Sequence, residues 1–283
     1  MKNGTFVPLG LCADDYAISP AVSAGIVELL AAGRLTATSA ITTRPLWRSA
    51  AKDLHRGGID ADIGLHLNLT LGAPLSRMPA FAPGGEFPGI GKIVRAAQSH
   101  SLPEAEIRAE IAHQLDAFCD AFGAPPAFVD GHQHVQILPR LRGWLFDALF
   151  ERGLTGKLWL RDSTDGVSRI LRRSVERRKA LLIAWLGRGF AEQARQRGFT
   201  TNEGFSGFSN FSAGRDFATD FTRYLQAPGK RHLVMCHPGY VDEELRRLDP
   251  VTASRPRELA FLISARFEDI LAQNRMRLAR LSS

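Results

Sequence analysis

Apolar and polar positions follow two rhythms along this chain. Short apolar runs ("TFVPLGLCA", "TATSAIT", "DIGLHLNL", "AFVDGHQH", "KLWLRDS" and "HLVMCHPG") read as buried strands. Between them lie longer stretches with apolar residues at helical spacing. Ser19 as N-cap, Pro20 in the first turn and Gly33 just past the end frame the first helix. A Ser101-x-x-Glu104 capping box is expected to open the helix "SLPEAEIRAEIAHQLDAFCDAF". "MRLARLS" reads as the last strand. Strand followed by helix, repeated to the end, predicts parallel strands joined by crossovers.

The polar clusters share one position in this pattern. Asp14 and Asp15, His66, Asp130 with His132 and His134, Arg161 with Asp162, and His237 all fall at or just past the C-terminal end of a predicted strand. A parallel α/β barrel gathers such ends on one face, whereas an open doubly wound sheet gathers only those near its switch point. The chain has neither a GxGxxG nor a P-loop sequence. The expectation is a single distorted TIM-like (β/α) barrel over residues 1–283, with the Gly/Pro-rich loop 71–91 and a basic segment at about 165–198 as elaborations.

The bulk numbers fit a globular protein: 283 residues, 45% hydrophobic and 23% charged. A formal charge of +7 favours anionic partners in general, but no zinc-finger spacing or RNP-like motif points to nucleic acid. Cys12, Cys119 and Cys236 are an odd, widely spaced set, expected as reduced and mostly buried thiols. No run of 18 uncharged apolar residues occurs, and the N-terminus lacks the features of a cleavable leader, so the chain reads as soluble and cytoplasmic. The segment 168–198 mixes arginines with Leu, Ile and Trp185, which suits either a barrel helix with a solvated face or a weak membrane-surface contact. Homodimerisation is a base-rate expectation.

Adjacent carboxylates on an extended strand point to opposite sides and can hold different tasks. A divalent ion on Asp15 would stabilise both ionised acids and leave Asp14 as a general base; a helix cap or Asx turn is the other reading. In "FVDGHQHV", His132 and His134 share a side if the backbone stays extended, and Asp130 can orient one imidazole. One carboxylate with two histidines suits Zn²⁺ and also non-haem Fe(II). Asn68, two residues past His66, either contacts substrate or stabilises the next loop, and Tyr16 and His134 are further candidates for substrate contact. His55, His100, His113 and His232 read as surface or packing residues, and the Phe residues of 200–217 as sugar-stacking or core residues.

"ADDYAISPAVSAGI", "IGLHLNLT", "FVDGHQHVQILP" and "VMCHPGYVDEEL" together resemble the four ordered motifs of the YdjC-like carbohydrate deacetylase family. The resemblance implies a distorted (β/α) barrel that binds one divalent metal, Mg²⁺ or Zn²⁺, and removes acetyl groups from amino sugars or oligosaccharides, including lipid-linked ones. Carried over, the metal ligands are Asp15, His66 and His132, the base Asp14, the acid His237, and Arg161 the arginine that orients the base. Where many members end this run in histidine, this chain has Gln136, a change that bears on the sugar site more than on the chemistry.

Overall fold

The computed structural model describes residues 6–55, 58–212 and 214–282. Its strands are β1 (Val7–Tyr16), β2 (Ala37–Ala40), β3 (Asp62–Leu67), β4 (Phe128–Gly131), β5 (Trp159–Leu160), β6 (Thr200–Thr201), β7 (Phe205–Ser206), β8 (His232–Cys236) and β9 (Met276–Leu278). They pair in the order β6-β5-β4-β3-β2-β1-β8-β7, with β9 on the start of β1, and each of these pairings is parallel. β1 is the central strand because its apolar run is buried on both faces: Leu9, Leu11, Cys12 and Ala13 are fully covered.

The two edges of this order are consecutive in sequence. Only residues 202–204 separate β6 from β7, and four chain steps reach at most roughly 14 Å. The sheet therefore has to curl round on itself, and residues 200–206 serve as one stave whose first half pairs with β5 and whose second half pairs with β8. Asn202 fastens the join: it accepts from the Asp162 N–H at 2.8 Å and donates to the Asp162 carbonyl at 2.9 Å. Gly207 (φ +111) is required at this place, since a Cβ there would lie 2.1 Å from the Met235 carbonyl oxygen of β8. The expected barrel is thus present, and its closing stave was not among the predicted strands.

The helices are α1 (Pro20–Ala31), α2 (Trp47–Asp53), α3 (Ile90–Gln98), α4 (Glu104–Phe122), α5 (Leu141–Glu151), α6 (Val167–Arg173), α7 (Arg177–Leu186), α8 (Phe190–Gln196), α9 (Phe217–Tyr224), α10 (Glu243–Leu248), α11 (Arg255–Ile263) and α12 (Ala265–Gln273). Ser19 caps α1 as expected, its side chain accepting from the Val22 N–H, with Pro20 at the first position. The Ser101 capping box does not form. Pro103 occupies the N-cap of α4 and offers no side-chain acceptor, while Glu104 turns to Arg108 one turn on and Ser101 meets Ser99. The basic segment is three short helices instead of one amphipathic helix, broken where Ser174 (φ 62), Glu176 (φ 43) and Gly189 (φ 79) take left-handed backbone. Loop 71–91 hangs on α4, whose Glu110 accepts the backbone N–H groups of Leu75 and Ser76 and whose Glu106 accepts those of Ala80 and Phe81. Cys12 and Cys236 are buried thiols and Cys119 is partly exposed. No helix among the described residues is long and apolar enough to cross a membrane.

Candidate active site

The aspartate pair sits on an irregularity in β1. Ala13 pairs with Thr38 and Tyr16 with Ala40, so β1 carries one residue more than β2 across this stretch, and Asp15 takes φ 69. The bulge turns both carboxylates inward at the C-terminal end of the barrel, where each is buried beside its own guanidinium. Arg161, just past β5, grips Asp14 with two hydrogen bonds, Nη1 to Oδ2 at 2.7 Å and Nη2 to Oδ1 at 2.6 Å. Arg255, at the start of α11, donates from Nη2 to Asp15 Oδ2 at 2.7 Å.

The other oxygen of Asp15 faces two imidazoles. His132 Nδ1 lies 3.0 Å from Oδ1 and His66 Nε2 lies 3.4 Å from it. One ligand atom from each of Asp15, His66 and His132 falls within 4.8 Å of the others, and all three residues are buried. The far nitrogen of His66 meets Asp130 Oδ1 at 2.6 Å and the Ser39 hydroxyl at 3.0 Å, which fixes the ring and leaves Nε2 facing the centre. Asp130 therefore orients His66. This donor set suits a divalent cation. Burial alone would push the His66 pKa down, yet Asp130, with Asp15 and Asp14, carries it up to about 10, so the centre favours positive charge.

A second grouping of Cys12, Asp14 and Asp130 already surrounds a cation, because Arg161 Nη2 lies 2.6 Å from both Asp14 Oδ1 and Asp130 Oδ2. Burial raises the Asp14 pKa, but Arg161 outweighs it and holds the carboxyl at about 2. Asp15 is likewise held well below the usual carboxylate range, Arg255 and His132 prevailing over burial. His237 follows β8 with Nε2 4.0 Å from Asp14 Oδ2, and burial pushes its pKa down to about 4 despite the two aspartates. Its backbone N–H donates to Glu258 Oε2 at 2.6 Å, and its ring stands edge-on to Phe211 at 5.1 Å.

Of the weaker substrate candidates, His134 stays within electrostatic reach of Arg161, Asp14 and His237, while Tyr16 and Asn68 are taken up by other contacts. After β4 the chain enters a 3₁₀ segment in which Gln133 (φ 53) and His134 (φ 63) are left-handed, so His132 and His134 do not share a side as an extended backbone would require. His134 instead packs edge-on to Phe205 and Phe208, both of which are core residues. Tyr16 is fully buried and donates to the Ala50 carbonyl at 2.8 Å, turned toward α2. Asn68 is fully buried and braces the following loop: its amide donates to Thr43 Oγ1 and the Leu71 carbonyl, and its oxygen accepts from Thr70 and Leu71. Gln136 donates to the Arg161 carbonyl at 3.2 Å and Ser163 Oγ at 3.1 Å, supporting the strand end that carries Arg161. Arg255 and Glu258 were missed by sequence reasoning. They sit on α11, away from any strand end, in a chain with 36 Lys and Arg, and no local pattern marks them.

A family model described as YdjC-like protein matches residues 8–273. The chitooligosaccharide deacetylase of Citrobacter koseri is 31% identical over 271 residues, covering 94% of each chain. That of Escherichia fergusonii is 29% identical over 271 residues with the same coverage. A solved structure from Enterococcus faecalis V583, described as a candidate cellobiose-phosphate cleavage protein, superposes with a TM-score of 0.72 over 98% of both chains at 22% identity, a likeness of fold. With its motifs in order on a common barrel rim and a match over nearly its whole length, this chain belongs to the YdjC-like protein family.

Proposed function

We propose that this chain is a metal-dependent hydrolase that removes acetyl groups from N-acetylated amino sugars or oligosaccharides. One observation carries the reading: Asp15, His66 and His132 converge within 4.8 Å, with Asp14 as the preceding residue and His237 4.0 Å from Asp14. The deacetylase names of the relatives support the substrate class. A divalent ion, Mg²⁺ or Zn²⁺, held by Asp15 Oδ1, His66 and His132 would polarise the acyl oxygen and acidify water.

The chain's own groups then move the protons. Asp14, kept ionised and aimed by Arg161, takes a proton from the attacking water. His237 Nε2 lies 4.0 Å from Asp14 Oδ2, and burial keeps its imidazole neutral near pH 7 and so able to take up a proton. The proton passes to His237 and on to the amine nitrogen as the C–N bond breaks, leaving acetate and a free amino sugar. Acetate release from matched N-acetylated and O-acetylated sugars, with and without a chelator, tests the reading. Release from amides that stops with chelator is expected. Release from esters alone would make it an O-acyl hydrolase, and release from neither with metal present would make it a sugar-binding protein on the same barrel.

A second observation favours a surface role for the basic segment. Val167 and Leu171 on α6 and Leu182 and Trp185 on α7 are exposed beside exposed Arg172, Arg177, Arg178 and Arg188. Sedimentation with anionic vesicles, weakened by salt, is the expected result; equal binding to neutral vesicles, or none, would remove this role.

A further inference from the structure

Arg255 does more at Asp15 than balance charge. Its guanidinium is fully buried and anchored at three points: Nε to the Val251 carbonyl at 2.8 Å, and Nη2 to Asp249 Oδ2 at 2.8 Å and Asp15 Oδ2 at 2.7 Å. The helix that carries it is registered on the site a second time, since Glu258, three residues along α11, accepts the His237 N–H. Asp15 itself sits on left-handed backbone at the β1 bulge, which limits how it can turn. Of its two oxygens, Oδ1 faces both histidines and Oδ2 is held by Arg255.

We propose that Arg255 is a positioning residue that makes Asp15 a one-oxygen ligand, and that it thereby selects small, low-coordinate cations over large, oxygen-seeking ones. The inference rests on the metal reading above. A carboxylate offers one or two oxygens to a cation, and Ca²⁺ gains from the second because it takes six to eight oxygen ligands, whereas Zn²⁺ is satisfied with about four. A buried carboxylate oxygen deprived of its donor must find another partner. With Arg255 replaced, Oδ2 is expected to turn onto the ion.

The test uses the full chain with Co²⁺, Zn²⁺ and Ca²⁺ as probes, in the wild type, Arg255→Met and Arg255→Lys, with cooperative thermal unfolding as the check on folding. Met keeps the length of the stem without its charge, and Lys keeps the charge without the planar fork. In wild type, Co²⁺ should give the intense visible bands of a low-coordinate site, and Zn²⁺ should bind far more tightly than Ca²⁺. In Arg255→Met the Co²⁺ bands should weaken as coordination expands, and the Zn²⁺ preference over Ca²⁺ should narrow by roughly tenfold or more, given how steeply ligand charge and number set Ca²⁺ affinity. Arg255→Lys should fall between and keeps the test usable if the Met variant does not fold. An unchanged Co²⁺ spectrum and an unchanged ion preference in a folded variant would overturn the role of Arg255 alone. A wild type that binds none of these ions, and no Mg²⁺ either, would overturn the metal centre with it.

Discussion

Asp14 and Asp15 stand side by side in a buried place because each is matched by a different arginine, Arg161 from the β5 end and Arg255 from α11. On the proposed reading, the matching divides their tasks. Asp14→Asn should keep metal affinity, measured by competition with a chromogenic chelator, and lose turnover by roughly 10²–10⁴-fold. His66→Ala or His132→Ala should instead lose bound metal in elemental analysis. Arg161→Ala strands two buried carboxylates, Asp14 and Asp130, and should cost about 3–5 kcal/mol of unfolding free energy in urea titrations. Much of this arrangement was legible, since Asp15, His66, His132, Arg161 and His237 are all marked by strand ends. Arg255 was not, because a helix-start arginine that reaches back across the barrel leaves no local trace. The extended reading of His132 and His134 failed for a local reason, the left-handed turn at Gln133 and His134.

Among the elements, the short stave at 200–206 is held by features other than strand length. Its two residues on each side were invisible to hydrophobic alternation, which needs a longer run than that. Gly207→Ala combines a backbone clash with left-handed strain and should lower stability by at least about 1–3 kcal/mol, read by denaturant unfolding. At the β7–β8 join, His232 Nε2 lies 2.9 Å from Ser206 Oγ and 3.2 Å from the Tyr224 carbonyl. Burial, reinforced by Arg173, pushes the His232 pKa down to about 3. The unfolded chain binds the proton near 6.5 and the folded one does not, so this group's contribution is complete above about pH 6.5 and is lost as pH falls toward 3. Urea titrations at several pH values should show that slope reduced in His232→Gln. The capping-box expectation failed at this scale too, because Pro103 displaced the cap.

For the whole molecule, the proposed ion, if bound only by the folded barrel, must stabilise it. At about 100 times its dissociation constant the gain is roughly 2.7 kcal/mol, seen as a rise of several degrees in Tm that a chelator reverses. The barrel itself was legible because strand and helix patterns alternate along nearly the entire chain. How it closes was not, because closure depends on a segment too short to have a pattern. That closure has a consequence for motion. A hoop is weakest where one piece is asked to meet two neighbours, and here each meeting is two residues long. Deuterium should therefore enter the amides around Thr201 and Ser206 well before those of Leu11 and Cys12. Phe205, in the same segment, touches His134, so this first point of breathing lies on a wall of the barrel close behind the β4 turn that carries His132.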